Sequence, residues 1–489
     1  MKKSLSLLLA LLMLLSAFTA CGDASSSDTP SGDSNSPSAV GAEETVPVET
    51  EPELSDDIEP MDFEQYGFTI LTSSTTTQHT ITAINEQNGD VLNEAMYNRT
   101  QQIAEKYNII FNDDYVPGNS DAALNAFTNS QQAGDQAYDL AMLLERRAFT
   151  LTNQGYFTDI GSLEYVDLDK PYWFKNVNDT INFTDKTYLS YGAANLGMYD
   201  MTHVLCFNQK MIADLQLETP YNLVLEGTWT IDKLKTMGEA AILDVDGDGA
   251  WGENDIYGIV GATNALPVNF LAAARQRTIA NHGDGNIENM MVTNPKIEEI
   301  FNYVCDMCWQ TGFWYTKTTD SNNYWRTESH FQEDRALFAD HTFYSTISLR
   351  DMVSDFGIVP FPKYTEDQKE YGVLVEAGSR TMTVPANVAN PDLSGAVLET
   401  LHFLSHRDVM PAYYEVTLKQ KVSRDSVSSQ MLDIIMDSIC YDLGMTMFCE
   451  AVKDGIFTQL FASNLRKYSS AVKGKTKVIE AAIASAKGE

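Results

Sequence analysis

Between Asp244 and Asp255 the chain reads Asp-Val-Asp-Gly-Asp-Gly-Ala-Trp-Gly-Glu-Asn-Asp. Asp244, Asp246 and Asp248 alternate, so three carboxylates converge when the chain curls. Gly249 stands where a Ca²⁺ loop makes its sharp turn, and Ala250 can offer a backbone carbonyl. Asp255 fills the twelfth place, where a last carboxylate closes the cage, although Glu is the usual residue there. The chemistry this spacing predicts is a structural calcium site on Asp244, Asp246, Asp248, Ala250 and Asp255, with Trp251 packed over it. The plainer alternative is a solvated acidic turn.

A second set of reactive side chains follows apolar runs. Glu145, Arg146 and Arg147 come directly after Tyr138–Leu144; Tyr199 and Asp200 precede the run 202–208; Glu376, Ser379 and Arg380 precede 381–384. Phe343 and Tyr344 end another such run. Charged groups placed directly after buried strands meet a cleft or one another. None of the three groups carries a His-Glu-x-x-His, Gly-x-Ser-x-Gly or P-loop pattern.

The elements that must position them alternate. A strand at 68–72 leads to a polar loop, 73–79, and a helix over 91–107 has Leu92, Met96, Ile103 and Ala104 at helical spacing. Strands at 109–111 and 138–144 flank a helix at 122–133. This order predicts an open α/β sheet, in which ligands sit beyond the carboxyl ends of the strands. Further helices are expected at 231–243, started by the Thr230 hydroxyl, near 266–280, at 295–311 and 393–406, and from 428 to the end.

The start of the chain is of another kind. Lys2 and Lys3 precede the apolar run Leu5–Leu15, which ends in Phe18-Thr19-Ala20-Cys21. That is a secretory signal (residues 1–21), too short for a comfortable membrane span. Residues 22–61 are Ser, Asp, Glu, Pro and Gly with almost no large apolar side chain, which predicts a disordered acidic tether. Some forty such residues reach roughly 35 Å root-mean-square. No later stretch is apolar enough for a transmembrane helix.

Composition excludes other classes. With 33 Lys and Arg against 68 Asp and Glu, the formal charge of −35 is the opposite of a nucleic-acid footprint. Beyond Cys21, five cysteines remain, an odd number without disulfide-scaffold spacing. Cys305-Asp-Met-Cys308 lies in an apolar helical pattern and reads as buried packing. The roughly 430 residues after the tether suit two lobes better than one core.

Several motifs together resemble the family 1 extracellular solute-binding proteins, the capture subunits of sugar ABC importers. They are Gly-Thr-Trp-Thr-Ile-Asp-Lys-Leu (227–234) with its helix, the acidic loop and Tyr257-Gly258, then the runs 139–160, 202–208, 331–344, 356–362 and 371–405. Cys21 after small residues likewise resembles a bacterial lipobox. The resemblance implies a two-lobed periplasmic-binding-protein-like fold of type II, each lobe an open sheet flanked by helices, joined by a three-crossing hinge. It places the first lobe at 62–195 plus 381–420 and the second at 196–380 plus 421–489. It also implies a monomer, tied to the membrane by a lipid on Cys21, that hands a sugar to permease subunits. Phe343 or Tyr344 would supply a sugar-stacking face, and Glu145, Arg146, Arg147, Tyr199, Asp200, Glu376, Ser379 and Arg380 would bond hydroxyls.

The rival reading is a lipid-anchored secreted glycoside hydrolase, since two carboxylates suffice for that reaction. Here the carboxylates of the expected cleft are accompanied by arginines, which suits binding rather than a raised acid pKa. Two acyl chains anchor stably where one is marginal. Cys21→Ser is therefore expected to move the protein from the membrane fraction to the medium with ligand affinity unchanged, as cell fractionation and a binding titration would check.

Overall fold

The computed structural model describes residues 54–73, 90–117, 120–283, 285–316, 329–415 and 426–489. The expected signal, Cys21 and all of the tether before residue 54 lie outside these residues. So do most of the loop at 73–79 and residues 416–425, which hold most of the last expected passage between lobes, 413–424.

Two sheets organise the chain. The first has the order β12-β3-β1-β2, made of β1 (Tyr66–Ser73), β2 (Ile109–Val116), β3 (Leu140–Leu144) and β12 (Arg380–Thr383). Strands β1, β2 and β3 run parallel, and β12 returns antiparallel to β3, with Arg380 opposite Leu144. The second sheet has the order β10-β4-β9-β5-β8, made of β4 (His203–Asn208), β5 (Tyr257–Val260), β8 (Trp314–Tyr315), β9 (Ala336–Thr342) and β10 (Phe356–Val359). Two small pairs complete the strands: β6 (Ile279–Asn281) with β7 (Ile287–Asn289), and β11 (Val373–Leu374) with β13 (Ile439–Cys440). Each large sheet is flanked by helices, as the strand–helix alternation requires, and the chain thereby forms two lobes. Strands β3, β4, β9 and β10 are buried throughout, which is why they read as continuous apolar runs rather than alternating ones.

Local chemistry sets the helix ends. Asp90 caps the helix Val91–Tyr107 by accepting from the amides of Leu92 and Asn93, both at 3.1 Å, and Asn108 ends it in a left-handed conformation. Thr230 accepts from the Lys233 amide at the start of Ile231–Ala241, as expected. Two expectations are corrected. The helix near 266–280 stops at Ala273, because Arg275 takes a positive φ of 53° and the chain turns into β6. The C-terminal part is not helical throughout: Tyr441–Val452 is held in turns. Asp442 is the cause, since its carboxylate accepts from the amides of Thr278, Ile279 and Gly444 and cannot be left unpaired where it is buried.

The cysteines behave as packing residues. Cys206, Cys305, Cys308 and Cys449 are buried and free, and Cys440 is half-buried and free. Among the described residues no helix is long and apolar enough to cross a membrane.

Residues 371–375 leave the second lobe by passing close under the helix Leu266–Ala273. At Gly372 an added Cβ would lie 2.0 Å from the Ala272 carbonyl oxygen, a backbone atom that cannot step aside. Gly372→Ala is thus expected to cost at least about 1–3 kcal/mol of stability, read from the midpoint of a urea unfolding curve.

Candidate functional site

The chain passes between lobes in two strands that lie side by side. Thr202 and Val375 form a bridge, and the Glu376 amide donates to the Met201 carbonyl at 2.9 Å. Beyond that bridge the Glu145 amide donates to the Ser379 carbonyl at 3.2 Å, where β3 ends against β12. Tyr344 donates its amide to Asp200 at 3.1 Å, and Phe343 donates to Thr202 at 3.0 Å. The crossing therefore brings Glu145, Asp200, Tyr344, Glu376, Ser379 and Arg380 into one neighbourhood. Tyr199 lies half-buried there, with its ring against Phe174 and Tyr413.

Not all of these side chains face open space. Phe343 is 2% exposed and packs in the core of the second lobe, while Tyr344 next to it is half-buried. Asp200 is buried and accepts from the Tyr413 hydroxyl at 2.8 Å. Arg146 donates to the Cys449 sulfur at 3.6 Å. Arg147 pairs with Asp121 at 3.1 Å and with Glu450 at 2.9 Å. Where a ligand was expected at the end of β3, the protein's own segment Thr446–Glu450 is in contact.

Several functional candidates were not singled out from the sequence. His203 lies fully buried between Asp340, 2.8 Å from Nδ1, and Glu376, 3.2 Å from Nε2. Glu376 also pairs with the buried ammonium of Lys453. Burial opposes a charged imidazole, yet Asp340 and Glu376 outweigh it and lift His203 to about 9. Burial likewise opposes the charge on Glu376, but Lys453 and His203 prevail and hold its carboxyl well below the usual carboxylate range. The available signal was a histidine at the head of an otherwise apolar strand. Lys453 carried none, because nothing local distinguishes it from a surface lysine.

A cavity of about 790 Å³ opens beside the crossing and is lined from both lobes. Asn178, Asn182 and Phe183 line it from the first lobe; Arg275, Arg277 and Tyr441 line it from the second. Its volume is in the range that encloses a small organic ligand. Tyr441 leads from the cavity to Tyr191, whose ring lies 6.1 Å away and whose hydroxyl donates to Glu145 at 2.7 Å.

The acidic loop is closed by the Leu243–Ile256 bridge. Asp244, Asp246 and Asp255 each offer a carboxylate oxygen within 4.8 Å of the others. Asp248 stands outside this group and accepts from the Ala250 amide at 2.7 Å. Gly247 and Gly249 turn the loop at φ of 71° and 78°. The Asp248 amide favours the charged form of Asp246, but desolvation and the charges of Asp248, Asp244 and Asp255 prevail and raise its pKa. Trp251 packs against Tyr257 and over Gly312.

Glu145 carries a pH dependence of its own. Burial raises its carboxyl to about 8, against the pull of the Tyr191 and Thr446 hydroxyls. This corrects the expectation that the adjacent arginines keep this acid from a raised pKa: Arg146 and Arg147 turn instead to Cys449, Asp121 and Glu450. The folded protein thus keeps a proton that the unfolded chain releases near 4.5. The stabilisation is complete below 4.5 and is lost as pH rises through about 8. His203 acts in the same sense over a higher window, from 6.5 to about 9. Glu145→Gln, which cannot ionise, is expected to unfold at a higher temperature than the unaltered protein above pH 8 and to match it near pH 5, as melting curves over this range would show.

A family model of bacterial extracellular solute-binding proteins matches residues 100–405. Among curated proteins none matches. Solved structures share the fold at low identity. An ABC substrate-binding protein of Listeria monocytogenes in complex with cycloalternan is 13% identical, with a TM-score of 0.54 over 87% of this chain and 100% of that one. A cyclo/maltodextrin-binding protein complexed with maltotetraose is 15% identical, with a TM-score of 0.55 over 85% and 98%. A family 1 extracellular solute-binding protein from Bifidobacterium longum subsp. infantis is 11% identical, with a TM-score of 0.53 over 85% and 99%. With two lobes, a cavity lined by both and a family match over more than half of its 489 residues, this chain belongs to the bacterial extracellular solute-binding proteins.

Proposed function

We propose that the protein captures a carbohydrate outside the cell and delivers it to the permease of an ABC importer by closing its lobes around the sugar. The cavity between the lobes carries this reading. The guanidinium groups of Arg275 and Arg277 are planar partners for neighbouring hydroxyls, and Phe183 and Tyr441 offer aromatic surface for C–H faces. The Asn178 and Asn182 amides are held by the backbone of Tyr188, Leu189 and Tyr191 and shape the wall. The likeness in fold to proteins solved with cycloalternan and maltotetraose supports the ligand class. A lipid on Cys21 and an acidic tether would hold the monomeric body near the permease.

Along the crossing, Glu145, Arg146, Arg147, Tyr199, Asp200, Glu376, Ser379 and Arg380 remain candidates for ligand contact once the lobes part. Tyr344 is the better stacking candidate than Phe343, since Phe343 spends its ring on the core. Removing Arg277 as Arg277→Met is expected to weaken sugar binding by about 1.5–3 kcal/mol, the contribution of a charged donor. Calorimetry with sugars identified by a thermal-shift screen would measure it. Turnover of the sugar during the titration would favour the hydrolase instead.

Calcium in the acidic loop is a second part of the proposal. Three carboxylates that bring an oxygen each within 4.8 Å of one another, and that repel one another at Asp246, make a place that a divalent cation would stabilise. An ion bound only by the folded state stabilises by mass action. Adding Ca²⁺ to chelator-treated protein is expected to raise the melting temperature, and Asp246→Asn to remove that rise. No response in the unaltered protein would leave the loop an acidic turn.

A further inference from the structure

The C-terminal helix Tyr468–Lys487 differs in charge from the rest of the chain. Residues 466–487 hold Arg466, Lys467, Lys473, Lys475, Lys477 and Lys487 against one acid, Glu480. The whole sequence has the opposite balance, 33 Lys and Arg against 68 Asp and Glu. Tyr468, Val472, Ile479, Ile483 and Ala486 form the buried side of the helix, where Tyr468 packs against Phe301 and Phe457. These positions recur at helical spacing, so Lys473 and Lys477, one turn apart, fall on the other side, and both are exposed. Lys467, at the N-cap, is exposed as well.

Neighbouring acids do not claim this face. Arg466 pairs with Asp306 at 2.8 Å, and Lys487 pairs with Glu489. Among the described residues no ion pair or hydrogen bond takes up the ammonium groups of Lys467, Lys473 or Lys477. Exposed lysines on other helices sit beside acids, as Lys210 does with Asp214 and Lys296 with Glu299. Helix stability does not call for the cations. Lys467 stands at the positive end of the helix dipole, where a cation is unfavourable, with no acid in the first turn and no side-chain cap. Nor does solubility call for them in a chain whose formal charge is −35.

We propose that the lysine face of this helix is a contact surface for an anionic phospholipid membrane. The apolar side of the helix is spent on the core, so nothing is left to insert among acyl chains, and the contact is with lipid phosphates alone. Charge is screened over about 8 Å at physiological salt, so acids on other sides of the body do not cancel the lysines at the contact. Each lysine near such a surface strengthens binding about fivefold, which makes about a hundredfold for Lys467, Lys473 and Lys477 together. Attraction of that size orients a body already held by a lipid anchor rather than collecting it from solution. In this the inference rests on the anchor proposed above, but the contact itself can be tested without it.

The test uses the mature chain made with Cys21→Ser, so that no lipid anchor enters the result. Co-sedimentation at low salt would compare vesicles of phosphatidylglycerol and phosphatidylcholine with vesicles of phosphatidylcholine alone. Binding is expected only to the anionic vesicles, and it should fall as salt is added. Lys467→Gln, Lys473→Gln and Lys477→Gln together are expected to weaken it about a hundredfold. The same three positions changed to Arg should bind as the unaltered chain does, since charge is what the surface attracts. Lys210→Gln, Lys235→Gln and Lys296→Gln together remove lysines paired with acids elsewhere and should leave binding unchanged. Gln forms helix as readily as Lys, and matching melting temperatures would show that the triple variant is folded. No binding to anionic vesicles, equal binding to both kinds, or unchanged binding by the Gln variant at 467, 473 and 477 would overturn the proposal. Displacement from the vesicles by soluble poly(glycerol phosphate) at a lower phosphate concentration than the lipid's would assign the face to a wall polymer and overturn it too. None of these outcomes bears on sugar capture, which a sugar titration of the same variants would read separately.

Discussion

Four charged side chains meet at the join between the lobes, Asp340, His203 and Lys453 buried and Glu376 half-buried, and the geometry of the crossing depends on them. Asp340 and His203 come from β9 and β4, Glu376 from the crossing strand and Lys453 from the C-terminal part. A lone charge in such a place costs several kcal/mol after relaxation, so no member is tolerable without its neighbours. Alternating signs solve the problem: carboxylate, imidazolium, carboxylate, ammonium. Asn269 adds an amide donated to Asp340 at 3.0 Å. Because the four groups come from separate parts of the chain, pairing them fixes where the crossing strand and the C-terminal segment lie relative to the second sheet.

The strands that cross depend on that fixing. Thr202 beside Val375 and Glu376 beside Met201 make a narrow ribbon, and the walls on either side come from different lobes. The cavity is a consequence of this arrangement. Its lining comes from the helix Lys175–Ile181 and the chain after it, from residues 275–285 around β6, and from β13 with Tyr441. In a chain with 68 acidic against 33 basic residues, cations are scarce. Several of them sit at the seams: Arg146 and Arg147 against the segment around Cys449 and Glu450, Lys453 under Glu376, Arg275 bonded to the Tyr371 carbonyl. Exposed pairs such as Arg147 with Glu450 contribute little to stability by themselves. They do set which surfaces meet.

The acidic loop shows a different economy of structure. Its backbone is already turned by Asx-type bonds from Asp244 and Asp246 to amides two to five residues on, so its shape does not wait for a cation. Asp255 holds the far end by accepting from Val245 and Gly252. Trp251 therefore has a packing role, against Tyr257 and Gly312, whether or not an ion is bound.

The sequence by itself determined whatever depends on neighbours along the chain. Period and capping located the helix Val91–Tyr107, the Thr230 cap and the buried strands β3 and β4, because apolar spacing and a hydroxyl at a helix start act within a few residues. The spacing also brought Asp244, Asp246 and Asp255 together, but not Asp248, whose carboxylate turns to the Ala250 amide. Local reading could not tell which reactive side chains had been claimed by distant partners. Phe343 and Tyr344 are adjacent and aromatic, and only the packed second lobe puts one in the core and leaves the other half-buried. Arg147 looks like a free guanidinium until Asp121 and Glu450 arrive from either side. His203 and Lys453 acquire their roles only through contacts more than seventy residues away. Such contacts are decided by which buried charges and helix ends must be satisfied when the lobes assemble, and a requirement of that kind leaves no mark on the spacing of residues along the chain.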